Sequence, residues 1–123
     1  MNNYGKELII DLHKCDPLRF TRKSIRGYFK EICDLIGMER EKLCWWDDLY
    51  TPENEKETED HLIGTSAVQF IKTSNITIHT LDKLRQVYIN LFSCKDFDEV
   101  IVKRFSYQWF DGVIVNTKVT QRI

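Results

Sequence analysis

Short runs of alternating apolar and polar residues, interrupted twice by a helical repeat, organise this chain. Glu7-Leu-Ile-Ile-Asp-Leu-His13 predicts a strand. Asp16-Pro17 follows, and aspartate as a cap with proline at the first helical position predicts a helix starting there. Ile25, Phe29, Ile32 and Ile36 recur at helical spacing and would face a sheet, with Gly37 as the stop. Lys42 to Trp46 reads as a second strand. Residues 47–60 then crowd Asp47, Asp48, Glu53, Glu55, Glu57, Glu59 and Asp60 around one lysine and Pro52, which predicts a mobile loop. Strand patterns return at 65–72, 75–80 and Val87–Ser93. Asp96 and Glu99 resemble a capping box, and Phe97, Val100 or Ile101, Phe105 and Trp109 give a second helix its apolar stripe, ended by Gly112. Val113–Val119 is the last strand pattern. With no internal repeat or linker, residues 1–123 read as one domain. Runs of strands with two amphipathic helices predict an α+β fold, a two-layer α/β sandwich whose mainly antiparallel sheet carries both helices on one face. The other face is left for solvent or a second subunit.

Composition narrows the function classes. The 123 residues are 42% hydrophobic, and 18 basic against 19 acidic side chains give a formal charge of -1. No basic stripe stands out, so nucleic acid is not an expected partner. No apolar run approaches the ~20 residues of a membrane span. Cys15, Cys33, Cys44 and Cys94 lack the paired spacing of a zinc site, so no metal is expected. The N-terminus has no signal-peptide form, and the thiols read as reduced, in a cytoplasmic protein. Cys33 and Cys44 are expected to be small core residues.

The chemistry concentrates between Gly64 and Cys94. A serine hydroxyl can attack the carbonyl that precedes it and replace the peptide bond by an ester, provided the backbone is strained and the oxyanion is stabilised. A base can then remove the serine α-hydrogen. Elimination breaks the chain, and loss of ammonia leaves a pyruvoyl group. Thr73-Ser74 can supply the cleaved bond, with Ser66 as oxyanion donor and His79 as proton acceptor. On one continuous strand Ser66 and Ser74 share a face, while Ser74 and His79 point opposite ways. A bend or bulge near Ser74 is then required. Taken alone, serines and a histidine in a half-exposed strand are more often structural.

Four segments, in order, resemble the prokaryotic S-adenosylmethionine decarboxylase family. Ser74-Asn-Ile-Thr-Ile-His79-Thr80 is similar to its Ser-His-Ile-Ser-Ile-His-Thr, and Leu91-Phe-Ser-Cys94 to its Val-Phe-Thr-Cys. Gly64-Thr-Ser66 is similar to its Gly-Val-Ser. Gly5-Lys-Glu-Leu-Ile-Ile-Asp-Leu-His-Lys-Cys15-Asp16 resembles its opening Gly-Lys-His-Leu-Ile-Leu-Asp-Leu-Tyr-Gly-Cys-Asp. The resemblance implies cleavage between Thr73 and Ser74 and a pyruvoyl cofactor made from Ser74, with Ser66 and His79 assisting. It assigns Cys94 to turnover rather than cutting, as the acid that reprotonates the substrate carbon. The pyruvoyl ketone would condense with the substrate amine and act as an electron sink. A homodimer with residues of both subunits near each pyruvoyl group is implied as well.

Departures fall on the substrate side. Where the family has a ribose-binding glutamate this chain has Lys83, which cannot accept a hydrogen bond; Asp82 stands beside it. Asp60 occupies the place of an adenine-stacking phenylalanine, with Trp45, Trp46 or Tyr50 as substitute rings. Thr73 and Asn75 replace the usual glutamate and histidine around the cut. Because Asp82 and these rings can restore both contacts, S-adenosylmethionine stays the first expected substrate, in polyamine (spermidine) synthesis. Arginine or ornithine is the second. An unprocessed, non-catalytic regulatory homologue is the third reading.

Overall fold

The computed structural model describes residues 3–123 and has six strands, β1 (Gly5–His13), β2 (Arg40–Trp46), β3 (Gly64–Ile71), β4 (Ser74–Leu81), β5 (Gln86–Ser93) and β6 (Val113–Arg122). Two α-helices, α1 (Arg22–Leu35) and α2 (Glu99–Trp109), complete it. The strands form one sheet in the order β2-β3-β4-β5-β1-β6, antiparallel at every pairing. The expected α+β sandwich is what the chain adopts.

Side-chain alternation decides which face the helices cover. Leu8, Ile10, Leu12, Ile76, Ile78, Val87, Ile89 and Leu91 alternate with more exposed neighbours and are sealed beneath the helices. Ile25, Phe29 and Ile32 supply the facing side of α1. Tyr28 sits between the helices, fully buried, its hydroxyl 2.7 Å from Ser106 Oγ. Burial of that polar atom is tolerable because it is hydrogen-bonded. The uncovered face carries Glu7, Ser66, Phe70, Thr77, His79, Asn90 and Phe92, none of them buried.

Two helix starts differ from the sequence expectation. Asp16 caps only a 3-10 turn, Pro17–Arg19, through Leu18 N–H. The chain then turns Phe20 inward against Phe110, and Thr21 caps the true start of α1 by accepting from Ser24 N–H. In α2 the cap is Asp98, not Asp96, which instead pairs with Lys6. Val100 and Ile101 are exposed, and Val102 and Ser106 form the buried side. Gly37, at φ +69, does follow the end of α1 as expected. The acidic segment holds two 3-10 turns, Glu53–Glu55 and Asp60–Leu62. Asp47 grips Arg22 and Asp48 accepts from Thr51 and from Glu57 N–H, so two of its carboxylates organise the loop.

Candidate active site

A two-residue turn, Lys72-Thr73, joins β3 to β4 and sets Ile71 opposite Ser74. Thr73 takes a positive φ of 61°. Among the described non-glycine residues with positive φ it is the β-branched one. A side chain in that region costs roughly 1–2 kcal/mol, and β-branching makes it worse. The backbone is thus strained at the residue that supplies the carbonyl of the Thr73–Ser74 bond.

Ser74 opens β4 and points under the helix layer, with 7% of its surface exposed. Its hydroxyl donates to Ser93 Oγ at 3.2 Å and accepts from Cys94 N–H at 3.4 Å. Thr73 Oγ1 lies 2.9 Å from Cys94 Sγ and 2.6 Å from the Lys72 carbonyl. Hydrogen bonding from the Thr73 hydroxyl, with smaller help from Ser74, Tyr4 and the Cys94 N–H, holds the Cys94 thiol below its ordinary value; partial desolvation opposes this. A cavity of about 630 Å³ opens onto this group, lined also by Cys33, Met38 and Lys95.

Ser66 and His79 meet elsewhere. They are cross-strand partners on the uncovered face, with Ser66 Oγ 2.7 Å from His79 Nδ1. They belong to a row that crosses the sheet from Trp46 through Ser66, His79 and Tyr88 to Asp11. A cavity of about 330 Å³ beside the pair is lined by Trp46, His61 and Leu62 among others.

The parity argument from the sequence therefore needs correction. Ser66 and Ser74 do not share a face, because the Lys72-Thr73 turn places them on different strands. Ser74 and His79 do face opposite ways, as expected, and β4 pairs with both neighbours without the anticipated bulge. Five residues also separate them along β4, about 17 Å at strand rise. One chain thus holds two groupings, Thr73-Ser74-Cys94 and Ser66-His79, towards opposite ends of β4, with the Ser74 hydroxyl on the face opposite the Ser66–His79 pair.

The substrate-side candidates scatter. Trp46 is exposed beside the Ser66–His79 pair. Asp82 lines a separate cavity of about 560 Å³ with Arg22 and Asp47, and burial raises its carboxyl above the usual value. Asp60 and Lys83 are exposed. Trp45 and Tyr50 are not free rings, since the Arg22 guanidinium lies 5.4 and 5.7 Å from their centroids.

Three neighbours of the cleavage turn escaped the sequence reading. Ser93 receives the Ser74 hydroxyl. Tyr4 stacks on Phe92 at 6.3 Å and reaches towards Cys94. Gly5 is required by packing, because a Cβ there would overlap the Ser93 carbonyl and the Cys94 backbone. Strand register brings all three here; Ser93 and Gly5 lie in segments that carry the resemblance, which gave them no role. Cys33 is buried as expected, whereas Cys44 is only partly so.

The fold and these groups define an α+β sandwich with a strained serine turn over a thiol. The sequence profile described as S-adenosylmethionine decarboxylase matches residues 6–123, and the chain belongs to that family. It resembles the crystal structure of the adenosylmethionine decarboxylase from Aquifex aeolicus VF5, with a TM-score of 0.77 at 15% identity, over 99% of this chain and 92% of that one. A comparison with curated protein sequences finds no match.

Proposed function

We propose that the chain is a self-processing, pyruvoyl-dependent decarboxylase, cut between Thr73 and Ser74 and acting on S-adenosylmethionine to supply an aminopropyl donor for polyamine synthesis. The observation that carries this reading is the positive φ of Thr73 beside the Ser74 hydroxyl, at the bond the family resemblance marks for cleavage. Strain there raises the ground state of the one peptide bond that must rearrange. The residues fit a pyruvoyl group: Ser74 supplies its three carbons, and the Ser93 hydroxyl and Cys94 N–H hold the hydroxyl oxygen that attacks and then leaves on the Thr73 carboxylate, water supplying the ketone oxygen as ammonia departs. Such a group would supply the electron sink for loss of carbon dioxide. Cys94 then holds the proton that the substrate carbon needs, and the adjoining cavity of about 630 Å³ is of a size suited to a small substrate.

The functional unit in this reading is a homodimer packed through the uncovered sheet faces. A two-fold arrangement sets the Ser74 end of one strand over the Ser66–His79 end of the partner's. Each site is then completed by the partner's Ser66 and His79, the latter as the base for the Ser74 α-hydrogen. The separation of the two groupings within one chain supports this. Exposed Tyr4, Trp46 and Phe70 add apolar surface for a partner to cover.

A second reading keeps the cofactor and takes arginine or ornithine. It is favoured by exposed Lys83 and Asp60 at the family's nucleoside positions and by the arginines already stacked on Trp45 and Tyr50. Intact mass tests the processing: fragments 1–73 and 74–123 are expected, the second with a blocked N-terminus. A chain still whole after long incubation returns the protein to a non-catalytic role. Carbon dioxide release from S-adenosylmethionine, arginine and ornithine, offered separately to cut protein, decides the substrate.

A further inference from the structure

The sequence resemblance assigns Cys94 to turnover alone, yet its thiol already touches the turn that must be cut. Thr73 Oγ1 is 2.9 Å from the sulfur, and the backbone N–H of Cys94 reaches Ser74 Oγ at 3.4 Å. His79 of the same chain lies on the opposite face and forms its cross-strand pair with Ser66, and the partner's His79, in the dimer proposed above, is assigned to the Ser74 α-hydrogen. We propose that Cys94 is also the base that starts the chain's own cleavage, a role that rests on the self-processing reading above.

The step balances within the chain. The Ser74 hydroxyl turns its hydrogen from Ser93 Oγ to the Cys94 thiolate, which takes it. Ser74 Oγ attacks the Thr73 carbonyl carbon, and the carbonyl electron pair moves to oxygen. As that pair returns, the carbon–nitrogen bond breaks, and Cys94 gives its proton to the departing Ser74 nitrogen. An amide and an alcohol become an ester and an amine, with no net proton change. Removal of the Ser74 α-hydrogen is a later step and stays with the partner's His79.

Three features of the turn serve this step. The Thr73 hydroxyl has one hydrogen and two partners, the Lys72 carbonyl and the sulfur. It accepts from the thiol when Cys94 is protonated and can turn its hydrogen to the sulfur when it is not. Backbone N–H of Cys94 is aimed at the serine oxygen as that oxygen gains charge. The charged and titratable groups around the thiol are Lys72 from the turn, Tyr4 ahead of β1, neighbouring Lys95, and Cys33, Asp34 and Glu39 from the end of α1 and beyond. Lys95 is engaged by the Gly37 carbonyl at 2.7 Å, so hydroxyls and an amide stand closest to the sulfur.

The test follows cutting of freshly refolded full-length chain by intact mass between pH 5 and 9, with Ser74→Ala as the uncut control. Cys94→Ala and Cys94→Ser are expected to cut on the order of 100-fold slower or worse, the range for loss of a general base. Alkylating wild-type precursor with iodoacetamide should arrest cutting, independently of any folding defect in a variant. Thr73→Val loses the hydroxyl that favours the thiolate, so its rising pH limb should move to higher pH. Wild-type cutting rates in folded Cys94→Ala, or in alkylated precursor, overturn the inference and leave the processing reading standing. A wild-type chain that stays whole overturns both.

Discussion

Thr73 is where strain and chemistry coincide. Two-residue hairpin turns favour glycine, asparagine or aspartate because one or both central residues need positive φ. Lys72-Thr73 offers none of these, so the break between the strand patterns at 65–72 and 75–80 carries no turn signal, and the facing of Ser66 relative to Ser74 could be judged only as if the strand were continuous. The residues of the candidate site were legible by resemblance, and the opposed facing of Ser74 and His79 by strand parity; that Ser66 sides with His79 and not with Ser74 was not. Its cause is a turn with the wrong residue type, a strain that local rules cannot see. The strain predicts a separation between two variants. Thr73→Val loses the hydroxyl but keeps the crowding, whereas Thr73→Gly loses both. If ~1–2 kcal/mol of strain is released at the cut, glycine should cut a further 5- to 30-fold slower than valine, at ~1.4 kcal/mol per tenfold. Single-turnover cutting followed by mass at a pH on each variant's plateau reads the ratio. Equal rates would mean that the strain is not used.

At the scale of elements, hydrophobic periodicity carried most of the fold. All six strands and both helices lie where apolar alternation or helical spacing predicted them, and errors gathered at helix starts. Asp16-Pro17 has the composition of a start, but Phe20 is drawn into the core beside Phe110 and stops the turn after three residues. Asp96 and Asp98 are alike in sequence, and only Lys6, brought near by the fold of β1 against β5, distinguishes them. Tertiary contacts made both choices. Asp98 accepts from Val100 and Ile101 N–H at 2.9 and 3.3 Å. Asp98→Ala should therefore cost about 1 kcal/mol, near the usual loss for an aspartate cap. Asp96→Ala should cost less, since Asp96 is itself exposed and Lys6 keeps Glu99 at 3.6 Å as a second partner. Chemical denaturation of the two variants, with unchanged slope, would rank them. The reverse order would place the cap at Asp96.

At the scale of the molecule, the two groupings belong to different environments, and a second copy offers a way to join them. Ser74 lies at one end of the sheet under the helix layer, with half-exposed Cys94 beside it at the sheet's end; Ser66 and His79 lie towards the other end on the uncovered face. About 17 Å along a pleated strand is too far for any side chain to span. Sheets stack roughly 10 Å apart, so a face-to-face partner related by two-fold symmetry can bring its own pair within reach of the strand end. This predicts complementation. Ser74→Ala cannot be cut but retains His79, and His79→Ala retains Ser74 but lacks the base for elimination. Each alone should stay whole. Unfolded together and refolded as a mixture, they should yield 74–123 fragments from the His79→Ala chain only, at most in the half of dimers that are mixed. The substitutions give the chains different masses, so one spectrum assigns every fragment. Cutting by refolded His79→Ala alone would remove His79 from the processing set. No cutting in the mixture, when wild type cuts under the same conditions, would mean that His79 serves its own chain through a rearranged hairpin.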